Sequence, residues 1–442
     1  MSTRSQLRSW QLAGLAAVLA FVVAAGSAAS SSAAGSPRSG GSINIAIVGD
    51  PGTINPMKDG GIADNYVSEL IRDRLVCSGR DGGIVPCLAT SWNTPNPTTF
   101  IFHLRRGVKF SNGAPFTAAD AKYTYDQIAF GKNSDFNGAE GPIKDTKVID
   151  DHTFEIDLSH PDPYFLEYMS LNSDMGIIPQ GWLSQCGQNC DTTVVGTGPF
   201  TVTEWVKGDH LTLQRNPNYW DSPRPYLHEI RFKVTPDPAA QVLQLKAGAA
   251  DILFQVPFKD LQSLSQAPGI TVGKHGSGSL TEIIWNNRVA PFNNLKVRQA
   301  LSYAIDRDQI GRVAMYGYAD PMRDLLPPFH WGHDASYPTP TYDPNKAKEL
   351  LVEAGYDASH PLSFELRIIN NQDFIDQAKV ETDKTKAKAL FSQISTQVDK
   401  NALTVRLPWQ NNVMAYRNRV QDFHVLAAFE YPLQYVWVND GK

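Results

Sequence analysis

The chain reads as an α/β protein folded in two lobes. Runs with the period of strands recur between runs with the period of helices, the pattern of α/β organisation. The 442 residues, 42% hydrophobic and 19% charged, give ample core and exceed what one hydrophobic core usually organises. A glycine-rich turn, Gly276-Ser277-Gly278-Ser279, is a candidate boundary between the lobes.

At the N-terminus, Arg4 and Arg8 precede an apolar run from Leu12 to Ala25, and small residues through Ala34 offer A-x-A-like cleavage points. Residues 1–34 are therefore expected to be an export signal. The alternative is an uncleaved membrane anchor, for which the run falls short of roughly 20 apolar residues. The first cysteine is Cys77, so no lipid anchor at the cleavage point is expected, and the mature chain is expected in the periplasm or elsewhere outside the cell membrane.

Residues 35–41 form a Gly/Ser/Pro linker, after which Ile43, Ile45 and Ile47 alternate as in a strand. Thr99–Phe110 reads as strand and turn, and Thr117 is a natural N-cap for a helix through Ile128. Strands follow at Thr153–Leu158, Leu211–Leu213 and Glu229–Val234, then a helix from Pro238 to Ala247. Past the glycine-rich turn, a helix is expected from Asn294 to Ala314, with Val297, Leu301, Ala304, Ile305 and Val313 facing a core. Ser363–Ile369, Leu403–Leu407 and Asp422–Phe429 read as strands and Ala387–Val398 as a helix.

The net charge of −5, spread along the chain, leaves no basic footprint for nucleic acid. Catalytic signatures are missing: there is no His-Glu-x-x-His, no P-loop and no Gly-x-Ser-x-Gly. Gly196-Thr197-Gly198 lacks the third glycine of a dinucleotide loop and reads as a tight turn entering a strand. His330 and His333 have no accompanying cysteine or carboxylate set and read as surface histidines. No catalytic group, cofactor or metal is expected. Four cysteines in an exported chain imply two disulfides. Three pairings are possible, and spacing favours the local ones, Cys77–Cys87 and Cys186–Cys190.

The most specific run is Val195-Gly196-Thr197-Gly198-Pro199-Phe200, followed by Trp205, Gly208, Asp209 and Arg215-Asn216-Pro217-Asn218-Tyr219-Trp220. Further blocks, in the same order as in one family, are Ile54-Asn55-Pro56, Ile84–Trp92, Phe102–Phe110, Phe116–Asp120, Val297–Arg307 and Tyr342-Asp343-Pro344. The chain resembles the extracytoplasmic solute-binding proteins of the oligopeptide, dipeptide and nickel ABC importers, bacterial solute-binding protein family 5. The resemblance implies a two-lobe, periplasmic-binding-protein type II-like fold with a hinge, lobe I over residues 42–276 and lobe II over 277–442. It implies a monomer that closes on a peptide or similar small solute and docks on a membrane permease fuelled by a separate ATPase.

It also implies candidate ligand contacts at Asn55, Gly196, Thr197, Trp285, Asn286, Asn287 and Trp409, with Glu430 pairing the ligand's amino terminus. A desolvated ammonium needs such a carboxylate. Trp205, Tyr219, Trp220, Tyr431 and Trp437 are further rings that could face a cleft. Relatives continue for roughly another hundred residues, about a small domain's mass. Lobe II is therefore expected to be incomplete, without a return to lobe I, and peptide binding weak or lost. The alternatives are a truncated, nonfunctional or repurposed homologue and, further off, an exported hydrolase.

Overall fold

The computed structural model describes residues 36–440 except 59–60, 80–82, 133, 137–140, 276–281, 314, 321–325, 327–331, 338–340, 365–403, 407–408, 411 and 425–430. The expected export signal, the Gly276–Ser279 turn, the Ala387–Val398 helix and Glu430 thus lie outside the described residues.

A seven-stranded sheet runs in the order Ile270–His275, Asn412–Arg417, Ile252–Leu253, Ser42–Ile47, Glu229–Val234, His210–Arg215, Phe200–Val206. Ser42–Ile47 is parallel to both of its neighbours, and the remaining pairs are antiparallel. A strand parallel on both sides is covered on both faces, which is why this segment is so apolar. Ile43, Ile45 and Ile47 enter one core with Leu213 and Phe232, while Ala46 enters the opposite one with Val242, Leu245 and Leu253. The helix covering that second face spans Pro238–Ala247: Asp237 accepts from the Ala239 N–H at 3.0 Å, Pro238 opens the first turn, and Gly248 closes it in the left-handed region.

A four-stranded antiparallel sheet pairs Ala89–Asn96, Thr99–Leu104, Thr153–Leu158 and Ile143–Asp150 in that order. Every second residue of Thr99–Leu104 and Thr153–Leu158 is buried, as one covered face requires. Phe102, Phe154 and Ile156 share a core with Tyr125 and Ile128 of the Ala118–Phe130 helix. That helix starts where Thr117 and Asp120 form a capping box. Disulfides join Cys77 to Cys87 and Cys186 to Cys190.

The helix expected over 294–314 is two helices, Leu295–Ala304 and Arg307–Val313. The Arg307 guanidinium donates to the Ser302 and Ile305 carbonyls, and Asp306 accepts from the Gln309 N–H at 2.8 Å, so the first helix is closed and the second freshly capped. Val297 is buried with Trp285 and Phe292, whereas Ala304 and Val313 are exposed rather than core.

The C-terminal expectation needs the larger correction. Asn412–Arg417 lies between Ile252–Leu253 and Ile270–His275, inside the large sheet. Met414 is buried in one core, Val413 and Ala415 in the other. The chain therefore crosses back, and residues 277–442 are not a separate lobe without return. The run Val413-Met414-Ala415 suits a strand covered on both faces. Asp251 adds to this by accepting from Arg419 at 2.8 Å and from the Asn44 N–H at 2.9 Å. Of the expected Asp422–Phe429 strand, the described residues 422–424 have no strand structure, and Val420–Gln421 instead pairs with Trp437–Val438.

Candidate ligand cleft

Ligands of open α/β sheets sit beyond the carboxyl ends of parallel strands, where the chain departs in different directions. Here Ser42–Ile47 and Ile252–Leu253 end side by side, and the residues that follow, Val48, Gly49, Phe254 and Gln255, wall a cavity of about 290 Å³ with Ile62 and Tyr66. The helix Ile62–Ile71 presents Ile62 and Tyr66, four residues apart, on one face. Tyr66 packs on Phe254 with ring centroids 4.6 Å apart, and Tyr431 stacks behind Phe254 at 3.9 Å. Tyr431 is held by its backbone N–H, which donates to Glu69 Oε2 at 3.3 Å. Burial pushes the Tyr66 and Tyr431 hydroxyls well above the ordinary phenol range, so both remain donors. Val48 and Ile62 are each about half exposed, at 49% and 50%.

This wall offers the apolar side chains of Val48 and Ile62, exposed amide at Gln255 and strand-end backbone, with the buried rings of Tyr66 and Phe254 behind them. Such a concavity is suited to holding a small solute. Among the described residues no group of three His, Cys, Asp or Glu side chains is placed to hold a metal ion, and no helix is long and apolar enough to cross a membrane.

The residues expected to touch ligand are placed as follows. Asn55 is buried: its Nδ2 donates to Asp191 at 3.1 Å and its Oδ1 accepts from the Met57 N–H at 3.0 Å. Gly196 and Gly198 cross the end of the Ile62–Ile71 helix so closely that an added Cβ would lie 2.0 Å from the Ile71 oxygen and 2.5 Å from its carbonyl carbon. Thr197, fully buried, accepts from the Asp73 N–H at 3.2 Å. These three form a structural seam. Trp285 is buried, stacked on Phe292 at 4.9 Å. Asn286 and Asn287 are exposed in the turn after Glu282–Ile284. The backbone of Trp409 pairs with Asp320. Sequence reasoning missed Ile62, Tyr66, Phe254 and Gln255. The position of Phe254 and Gln255 directly after an apolar strand was the available signal.

The motif segments meet at the same seam. Asn216 donates to the Gly198 carbonyl at 2.8 Å and Trp220 to Asp73 at 2.7 Å. The family profile of bacterial extracellular solute-binding proteins, family 5 (middle), matches residues 83–407, well over half of the chain. The chain belongs to this family.

Within family 5, it is 28% identical over 349 residues to the periplasmic oligopeptide-binding protein OppA of Salmonella typhimurium, covering 71% of this chain and 62% of that protein. It is 34% identical over 260 residues to the glutathione-binding protein GsiB of Salmonella choleraesuis, covering 58% of this chain and 50% of that one. The matched region thus spans 50% to 62% of the length of these relatives. The fold matches the periplasmic binding protein DppA from Helicobacter pylori in complex with the peptide STSA, with a TM-score of 0.78 at 22% identity over 91% of this chain and 98% of that one. The architecture is the α/β fold of type II periplasmic binding proteins.

Proposed function

We propose that this family 5 protein is the solute receptor of an ABC importer. It works outside the cytoplasmic membrane, takes up a short peptide or a solute of similar size, and presents it to a membrane permease driven by a separate ATPase. The observation that carries this reading is the half-open apolar wall at the carboxyl ends of Ser42–Ile47 and Ile252–Leu253, where Val48 and Ile62 are exposed beside Tyr66 and Phe254. Exposed apolar surface grouped in a concavity marks a binding face. Similarity to binding proteins for oligopeptides and glutathione supports the solute class. In this reading Asn286 and Asn287, exposed after Glu282–Ile284, come to the ligand as the protein closes by hinge motion.

Calorimetry of the mature chain against di- to pentapeptides and reduced glutathione tests the reading. Saturable one-to-one binding with a matching rise in Tm is expected. Neither heat nor thermal stabilisation with any of these solutes at millimolar concentration would overturn it.

A further inference from the structure

A second cavity, of about 280 Å³, opens at the other end of the Ile62–Ile71 helix, where Arg72, Asp73 and Arg74 leave it. It backs onto the cleft wall, since Tyr431, which lines it, stacks on the Phe254 ring of that wall at 3.9 Å. One side is stapled by the Cys77–Cys87 disulfide, both of whose cysteines line the space. The other carries two guanidinium groups laid on rings: Arg105 lies 4.2 Å from the Trp220 ring centroid and Arg224 4.5 Å from that of Tyr435. A guanidinium stacked on a ring still directs its N–H fork outward in its own plane, the geometry that takes a carboxylate bidentately.

Arg105 is anchored through Nε to the Cys87 carbonyl at 3.2 Å, and Arg224 is paired with Asp221. Both are therefore held in place before any ligand arrives. Four arginines line the cavity against three acids, Glu69, Asp73 and Asp221. Glu69 is engaged by the Tyr431 N–H, and Asp73 by the Trp220 indole. Arg72, only 2% exposed, gives its terminal nitrogens to the Ile54 and Ser173 carbonyls while its Nε has no partner among the described residues. The balance is cationic, with rigid planar donors beside aromatic faces.

We propose that this cavity is a second binding site, distinct from the cleft, for a small organic carboxylate, with Arg105 as its principal fork and the Trp220 ring beside it. The fixed guanidinium forks, rather than the volume, which is close to that of the cleft cavity, select a carboxylate.

The test is calorimetry and tryptophan fluorescence of the mature full chain with succinate, citrate and benzoate, and with inorganic phosphate as comparator. At least one carboxylate is expected to bind saturably and to change the fluorescence. That change should vanish in Trp220→Phe. Arg105→Gln should weaken binding about tenfold or more, as loss of a charged hydrogen-bond pair does. Arg105→Lys, which keeps charge and stem but not the fork, should also weaken it and covers the case in which the first variant folds poorly. Ile62→Lys, in the cleft, should leave it unchanged. No binding by the three acids, binding by phosphate only, or carboxylate affinity unaltered in both Arg105→Gln and Arg224→Gln would overturn the proposal. Peptide titrations of the same samples report separately on the cleft.

Discussion

The indole Nε1 of Trp220 donates to Asp73 Oδ2 at 2.7 Å across 147 positions of sequence. Asp73 is nearly inaccessible, and desolvation pushes its carboxyl up to about 7 although bonds from Trp220 and Thr197 pull the other way. The folded value lies above the unfolded one, so between about pH 4 and 7 the folded chain keeps a proton that the unfolded chain has released. The stability from this group is full at low pH, falls as pH rises toward 7 and is level beyond. The urea midpoint of Asp73→Asn should accordingly vary less between pH 5 and 7.5 than that of the wild type. Equal pH dependence in the two proteins would show that Asp73 titrates normally.

Gly196 and Gly198 are required by contact rather than by unusual dihedral angles, since an added Cβ would meet the backbone of Ile71. Gly196→Ala should destabilise by about 2–3 kcal/mol or more, because backbone cannot yield as a side chain can. Gly49, where an added Cβ meets nothing within 4 Å, should accept alanine with little change in Tm. Comparable melting of the two variants would contradict the close approach.

Arg419 and Asp251 tie the returning strand to the sheet at 2.8 Å, and the carboxylate is 4% exposed. Arg419→Met leaves that charge with its Asn44 N–H and with Arg417 at 3.5 Å. Removing one partner of a buried pair costs about 3–5 kcal/mol, here reduced by Arg417. Denaturant unfolding should show a loss of at least about 1 kcal/mol, above the usual range for an exposed pair. A loss no larger than that of Lys346→Met, whose partner Glu349 is exposed, would argue against the return.

Ile62 faces the cleft half exposed, so Ile62→Lys should leave thermal stability close to that of the wild type while weakening peptide binding about tenfold, the scale of one lost apolar contact of 1–2 kcal/mol. Peptide calorimetry beside a melting curve separates the two effects, and unchanged affinity would remove Ile62 from the site.

The sequence alone determined what local chemistry decides. Thr153–Leu158 and Glu229–Val234 alternate visibly, and the Pro238–Ala247 helix announces its cap, its proline and its closing glycine. The disulfides, spanning 10 and 4 positions, were equally legible. The ordered motif blocks carried the family. Tertiary structure decided the rest. Nothing near Asn412–Arg417 says that it inserts between strands ending at Leu253 and His275, because a strand's partners are chosen by packing across the whole sheet. The same holds for the cleft: Tyr66 and Phe254 look like ordinary core residues until the carboxyl ends of two parallel strands bring them to one rim. Nor does sequence show that Asn55 and Thr197 bond to Asp191, Met57 and Asp73, because a buried polar group finds its partner only once distant segments are brought together.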